Sequence, residues 1–172
     1  MENISKIIKV IDSINSWVGK IGAWSIVALT LLIVFEVISR RVFNSPTIWT
    51  YEMITMTFSF HFMIVGGYAL LQKSLVSVDV LYNRLSLKVQ AIMDIITYFI
   101  LFFPFILGVF FVSIGNAQES WAVMETSSSL FGAPVYLTKT VIPVAFGLLS
   151  LQGISEVLKR VLVLMKGETY NG

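Results

Sequence analysis

A glutamate inside a long apolar run is the first residue here whose type and place could do chemistry. Glu36 lies in "IGAWSIVALTLLIVFEVI". A carboxylate within a bilayer costs roughly 2.5–3.5 kcal/mol on insertion scales, so such a residue has a function or a partner. Two roles are open to it. A membrane glutamate can exchange protons for a substrate, as in small four-helix exporters. It can also pair with a neighbour, and Arg40 follows four residues later in the favourable order for a helical ion pair. Glu36 sits near the outer end of its run, and the spacing favours pairing.

Arg40 and Arg41 lead into "VFNSPTIWTYEMI". Here Ser45 reads as a helix N-cap and Pro46 as the first helical residue. Trp49 is placed at the headgroup level, and Glu52 follows one turn later on the same face. The segment is either a wet loop with an aromatic belt residue or an ordered hairpin braced by Glu36, Arg40 and Glu52. His61, among Phe58, Phe60 and Phe62, reads as a neutral histidine bonded to a neighbouring helix. Asp79 in "VSVDVLY" can cap a short structure, and Asp94 suits the positive end of a helix dipole. Glu119 and Glu125 read as exposed acids. Thr126, Ser127, Ser128 and Ser129 read as a flexible or capped turn.

The elements that position these residues follow from composition. The 172-residue chain is 56% hydrophobic and 13% charged, with a mean hydropathy of +0.84. A soluble domain carries about 25% charged residues, so lipid is the expected solvent. The chain has no cysteine, which excludes disulfides and thiolate metal sites, and its single histidine excludes bis-histidine haem ligation within one chain. A net charge of +2 gives no reason to expect nucleic acid. The pattern contains no nucleophile–base pair, metal cluster or phosphate loop, so neither catalysis nor a cofactor is expected. The start, "MENISKIIKVIDSINSWVGK", lacks a compact apolar core with a small-residue cleavage site, and it is expected to be retained.

Four runs approach the roughly 20 apolar residues that a spanning helix needs. They are Ile21 to Ile38, Met53 to Gln72, Ile95 to Gln118 and Val135 to Leu158. Pro104 and Pro143 are expected to kink the third and fourth. Basic residues set the orientation. With the N-terminus cytoplasmic, the inner segments hold Lys6, Lys9, Lys20, Lys73, Arg84, Lys88, Lys159, Arg160 and Lys166. The outer loops hold only Arg40, Arg41 and Lys139. Both termini are therefore expected inside. Before the first span, Ile4, Ile7, Ile8, Ile11, Ile14 and Val18 fall on one helical face, opposite Lys6, Lys9, Ser13, Ser16 and Lys20. That is the pattern of an amphipathic helix on the inner leaflet. The expected fold is an all-α integral membrane protein. It comprises an interfacial helix over residues 1–20, four transmembrane helices over 21–165 and a cytoplasmic tail over 166–172.

The ordered set "EVISRRVFNSPTIWTYE", "GGYALLQKSLVSVDVLYNRLS" and "ETSSSLFGAPVYLTKTVIPVAFGLLSLQ" resembles the DctQ-like small membrane subunit of tripartite ATP-independent periplasmic (TRAP) transporters. The likeness runs from about Ile33 to Arg160. Family features fall on Glu36, Arg40, Phe43, Asn44, Trp49, Glu52, Asp79, Pro134, Lys139, Pro143 and Gln152. Many relatives carry a histidine just before the "V-x-V-D" stretch, where this chain has Leu75. The resemblance implies a non-catalytic scaffold in the bacterial inner membrane, without a cofactor of its own. Its partners would be a large multi-span subunit, expected to bind sodium and substrate and to move as an elevator, and a periplasmic binding protein that delivers an organic acid. The competing expectation is an autonomous proton-coupled exporter that uses Glu36.

Overall fold

Each of the four apolar runs is apolar enough to be solvated by lipid, and each is a helix long enough to cross a bilayer. In the computed structural model, residues 2–74, 82 and 85–166 are described. The elements are α1 (Glu2–Arg41), α2 (Thr50–Ile64), α3 (Gly66–Leu71), α4 (Leu87–Thr97), a π turn (Tyr98–Phe102), α5 (Phe103–Ala122) and α6 (Val135–Lys166). Strands are absent among the described residues, apart from an isolated Thr126–Pro134 bridge.

Residues 2–20 run without a break into the first span, so α1 is a single helix of 40 residues. At about 1.5 Å per residue it is about 60 Å long, twice the hydrocarbon thickness. Its buried residues are Ile8, Ile11, Asn15, Gly19, Gly22 and Leu29. From Ile8 to Gly22 that stripe advances in three- and four-residue steps and passes through residue 20 uninterrupted, which is why no hinge separates the halves. Ile8 and Ile11 face protein, while Ile7 and Ile14 remain exposed. The glycines are points of close approach. A Cβ on Gly19 would lie 2.2 Å from Tyr68 Cβ, and one on Gly22 would lie 2.4 Å from Ile64 Cγ2. Small residues that let backbones meet are how membrane helices gain packing contact. The same face carries a polar tie, because His61 Nδ1 lies 2.9 Å from Ser25 Oγ and 3.1 Å from the Gly22 carbonyl.

α2 and α3 form the second span, Thr50 to Leu71, with one irregular residue, Val65, between them. α2 begins at Thr50, not at Pro46, and Ser45 caps no helix. Ser45 is engaged elsewhere. Its N–H donates to the Ser39 carbonyl at 3.0 Å, and its carbonyl accepts the Ser39 hydroxyl at 2.5 Å. Those bonds close the end of α1 and leave residues 44–47 outside any helix.

The third span comprises α4, the π turn and α5. Pro104 has no N–H to return to the carbonyl four residues earlier, and the chain meets this with the π turn just upstream. Phe102, in that turn, sits over Gly153 of α6, where a Cβ would come within 2.4 Å of the ring. α6 is the hub, in contact with α1, α2, α3, α4 and α5. Its most apolar window is 39% buried, against 6–11% for the other three spans. The other helices therefore turn most of their apolar surface outward, Trp17, Trp24, Phe62 and Phe111 among it. Pro143 lies inside α6, which continues through it.

Candidate functional site

The end of α1 and the start of α2 lie at the same end of the bundle as the end of α5 and the start of α6, because consecutive spans run antiparallel. Two loops cross that end, residues 42–49 and 123–134. In the first, Glu36 is the anchor. Its Oε1 accepts Arg40 Nη2 at 2.7 Å and Arg40 Nε at 3.2 Å, and its Oε2 accepts the Thr47 hydroxyl. Thr47 in turn meets the hydroxyl of Thr50, which is fully buried. The Glu36 side chain is 12% exposed and that of Arg40 is 60% exposed, so the arginine covers the acid from the outside. Asn44 turns the chain with φ 50°, a left-handed conformation that asparagine tolerates. Trp49 stacks on Phe35 with ring centroids 5.8 Å apart. Arg41 is exposed beside this brace.

Glu52 does not join that brace. It is 8% exposed, with Oε1 accepting the Ser127 hydroxyl at 2.7 Å and Oε2 accepting the Ala133 N–H at 2.9 Å. Instead of Glu36 and Arg40, Glu52 holds the second loop. Two carboxylates cannot bond each other, Arg40 is committed to Glu36, and the later start of α2 turns Trp49 toward α1 and Glu52 toward the second loop.

The second loop is ordered by its own serines. Ser127 N–H donates to the Ala133 carbonyl at 2.8 Å, and Val135 N–H donates to the Glu125 carbonyl at 3.0 Å. Ser127 Oγ accepts the Ser129 N–H, and Ser129 Oγ accepts the Phe131 N–H. Gly132 supplies φ 66° at the tip, where residues other than glycine would be strained. Pro134 closes the bridge to Thr126. Beside it, Trp121 Nε1 donates to Thr140 at 2.8 Å and its ring packs on Tyr136 at 4.5 Å.

Glu119 is exposed, but Glu125 is not a bare surface acid: it accepts Lys139 Nζ and the Ser120 hydroxyl. The Lys139 ammonium and that hydroxyl hold the Glu125 carboxyl below its ordinary 4.5. A lowered folded-state pKa adds stability above the ordinary value, lost as pH falls through the lowered one. Trp121 fluorescence, followed from about pH 6 to about pH 3, should therefore show the loop loosening in the wild type. Glu125→Gln should start loose and change little over that window.

A family model for the DctQ component of tripartite ATP-independent periplasmic transporters matches residues 29–163. The chain belongs to the DctQ family. It is thus the small membrane component of a TRAP transporter, and the matched stretch holds both of these loops with Glu36, Glu52, Glu125 and Lys139. No curated protein matches the chain in sequence.

The opposite end of this DctQ chain carries a cluster of which the sequence singled out only Gln152. Asp12 of α1 meets Gln152, Ser155 and Lys159 of α6. Its Oδ1 accepts Gln152 Nε2 at 3.0 Å and the Ser155 hydroxyl at 2.7 Å, while Lys159 Nζ lies 2.9 Å from Oδ2. Lys159 also bonds Glu156 at 2.6 Å. Gln152 and Ser155 are fully buried, and Gln152 Oε1 has no partner among the described residues. Next to it, Arg160 Nε lies 2.7 Å from Asp94 Oδ2, which accepts the Tyr82 hydroxyl at 2.6 Å. Burial and then that bond push Tyr82 up to about 12. Asp94 thus pairs with a cation in addition to its place near the start of the third span. Asp79 and Leu75 lie outside the described residues.

Proposed function

We propose that this DctQ chain is the non-catalytic scaffold subunit of a sodium-coupled TRAP transporter that imports organic acids. It supports the large elevator subunit, which binds sodium and solute, and it offers part of the external surface on which the periplasmic binding protein docks. Residues 2–20 act as an inner anchor leading into the four-helix domain of 21–165. Both termini face the cytoplasm of a bacterial inner membrane, the orientation that the lysine and arginine distribution favours.

The observation that carries this reading is how the polar groups within the helices are used. Glu36 is held by Arg40 and Thr47, His61 by Ser25 and Gly22, and Asp12 by Lys159 and Ser155. Each ties one segment of the chain to another. Outside this framework, three of the four spans present most of their apolar surface outward, which suits contact with lipid and a larger partner. The pairing of Glu36 speaks against a proton-coupled exporter, because a carboxylate fixed at both oxygens is a poor shuttle.

Two measurements test the proposal together. Co-expressed with the large subunit, the tagged chain should co-purify with it at a fixed stoichiometry. The chain has no native cysteine, so single cysteines report sidedness. Ser128→Cys should react with an impermeant maleimide from the periplasm, and Lys73→Cys should react only once the inner membrane is opened. The reverse pattern would overturn the orientation, and a chain that purifies alone would overturn the scaffold role.

A further inference from the structure

We infer that the groove beside Glu52 receives a lysine or arginine side chain of the large membrane subunit, an inference that rests on the TRAP reading above. Glu52 differs from the other buried or half-buried acids described. Glu36, Glu125, Asp12, Glu156 and Asp94 each have a cationic partner within the chain. The donors around Glu52, the Ser127 and Ser129 hydroxyls and the Ala133 N–H, are neutral. Its place in the first turn of α2 adds the positive end of a helix dipole. They leave the carboxylate without a counter-charge among the described residues, at 8% exposure. Buried charges are ordinarily paired. A carboxylate offers about four lone-pair sites, so each Glu52 oxygen can take a further donor.

The space for that donor is present. A groove of about 410 Å³ opens beside Glu52, walled by Ile48, Tyr51, Thr55 and Met56 on one side and by Val135 and Thr138 on the other. Its walls are mostly apolar, with Glu52 the charged residue in the lining. That combination suits a side chain with a hydrocarbon stem and a cationic head. The same charge repels an acidic solute, so the groove is not a substrate site.

Depth identifies the occupant. The lining continues from Tyr51 to Ser59, eight residues or about 12 Å down α2 into the span. A soluble binding protein reaches only the rim of such a groove. A helix of an integral membrane partner can lie alongside it and insert a side chain from within the bilayer.

The test uses the assembled complex. A photo-crosslinking aromatic residue replaces Tyr51, which lines the groove and is exposed. Irradiation should join it to the large subunit, through a peptide containing lysine or arginine. Glu52→Gln should lower both this cross-link and recovery of the complex by at least ~tenfold, as loss of one partner of a buried charge pair does. Thr55→Trp fills the groove while leaving both Glu52 bonds in place. It should lower recovery similarly, with no change in the thermal unfolding of the isolated chain in detergent. Cross-linking only to lipid or to the binding protein, or to a segment lacking lysine and arginine, would overturn the inference. So would wild-type recovery of both variants. Failure of the unmodified chain to co-purify with the large subunit would instead sink the scaffold reading itself.

Discussion

Lys159→Met is expected to destabilise the isolated chain by about 3 kcal/mol, the lower end for breaking a buried ion pair. The ammonium lies 2.9 Å from Asp12 and 2.6 Å from Glu156, and its side chain is 17% exposed. Without it two carboxylates face each other across the α1–α6 contact with only Gln152 and Ser155 as donors. The lower end applies because Asp12 is 24% exposed and water reaches it. Urea unfolding in detergent, read by tryptophan fluorescence, measures the loss. The combined variant Asp12→Asn, Glu156→Gln, Lys159→Met should recover most of it, because it removes the unpaired charges together with the cation. A loss under about 1 kcal/mol in the single variant would mean that solvent replaces the ammonium, as at exposed pairs.

Glu52→Ala should have the larger effect on the working transporter. The substitution removes the acceptor for the Ala133 N–H, and Ala133 is only 3% exposed. A buried donor left without a partner costs about 1–3 kcal/mol, and the Ser127 hydroxyl loses its acceptor in the same step. The bond that holds the 126–134 loop to α2 is gone, so that loop should become the first site of proteolytic cleavage in the folded chain. Uptake by the assembled system should fall about tenfold, the factor that corresponds to 1.4 kcal/mol. The ratio of uptake rates between two organic acids should stay the same. A changed ratio with intact assembly would place Glu52 at the solute and contradict a structural role.

The sequence was most informative where the physics is local. Hydropathy marks the four spans because lipid removes any alternative for the backbone. The Glu36–Arg40 pair follows from one helical turn of spacing. Longer-range ties were not legible. Glu52 meets groups 75 and 81 residues away, and nothing in its own stretch names Ser127 or Ala133. Asp12 sits among lysines and serines and reads as part of a solvated face, yet its partners are 140 or more residues downstream. Ser45 and Pro46 carry a helix-start signal that lost to two bonds with Ser39. The apolar run from Ile21 and the two-faced pattern before it mark where lipid begins but not whether the helix breaks. Gly19 and Gly22 mark close packing there, and α1 passes through both.

The most direct test of the account is uptake into proteoliposomes. The chain alone, given a proton gradient, should move no organic acid. With the large subunit, the binding protein and an inward sodium gradient, uptake should appear, and omitting this chain should abolish it. Proton-driven transport by the chain alone, lost on Glu36→Gln, would contradict the scaffold role and make Glu36 a carrier.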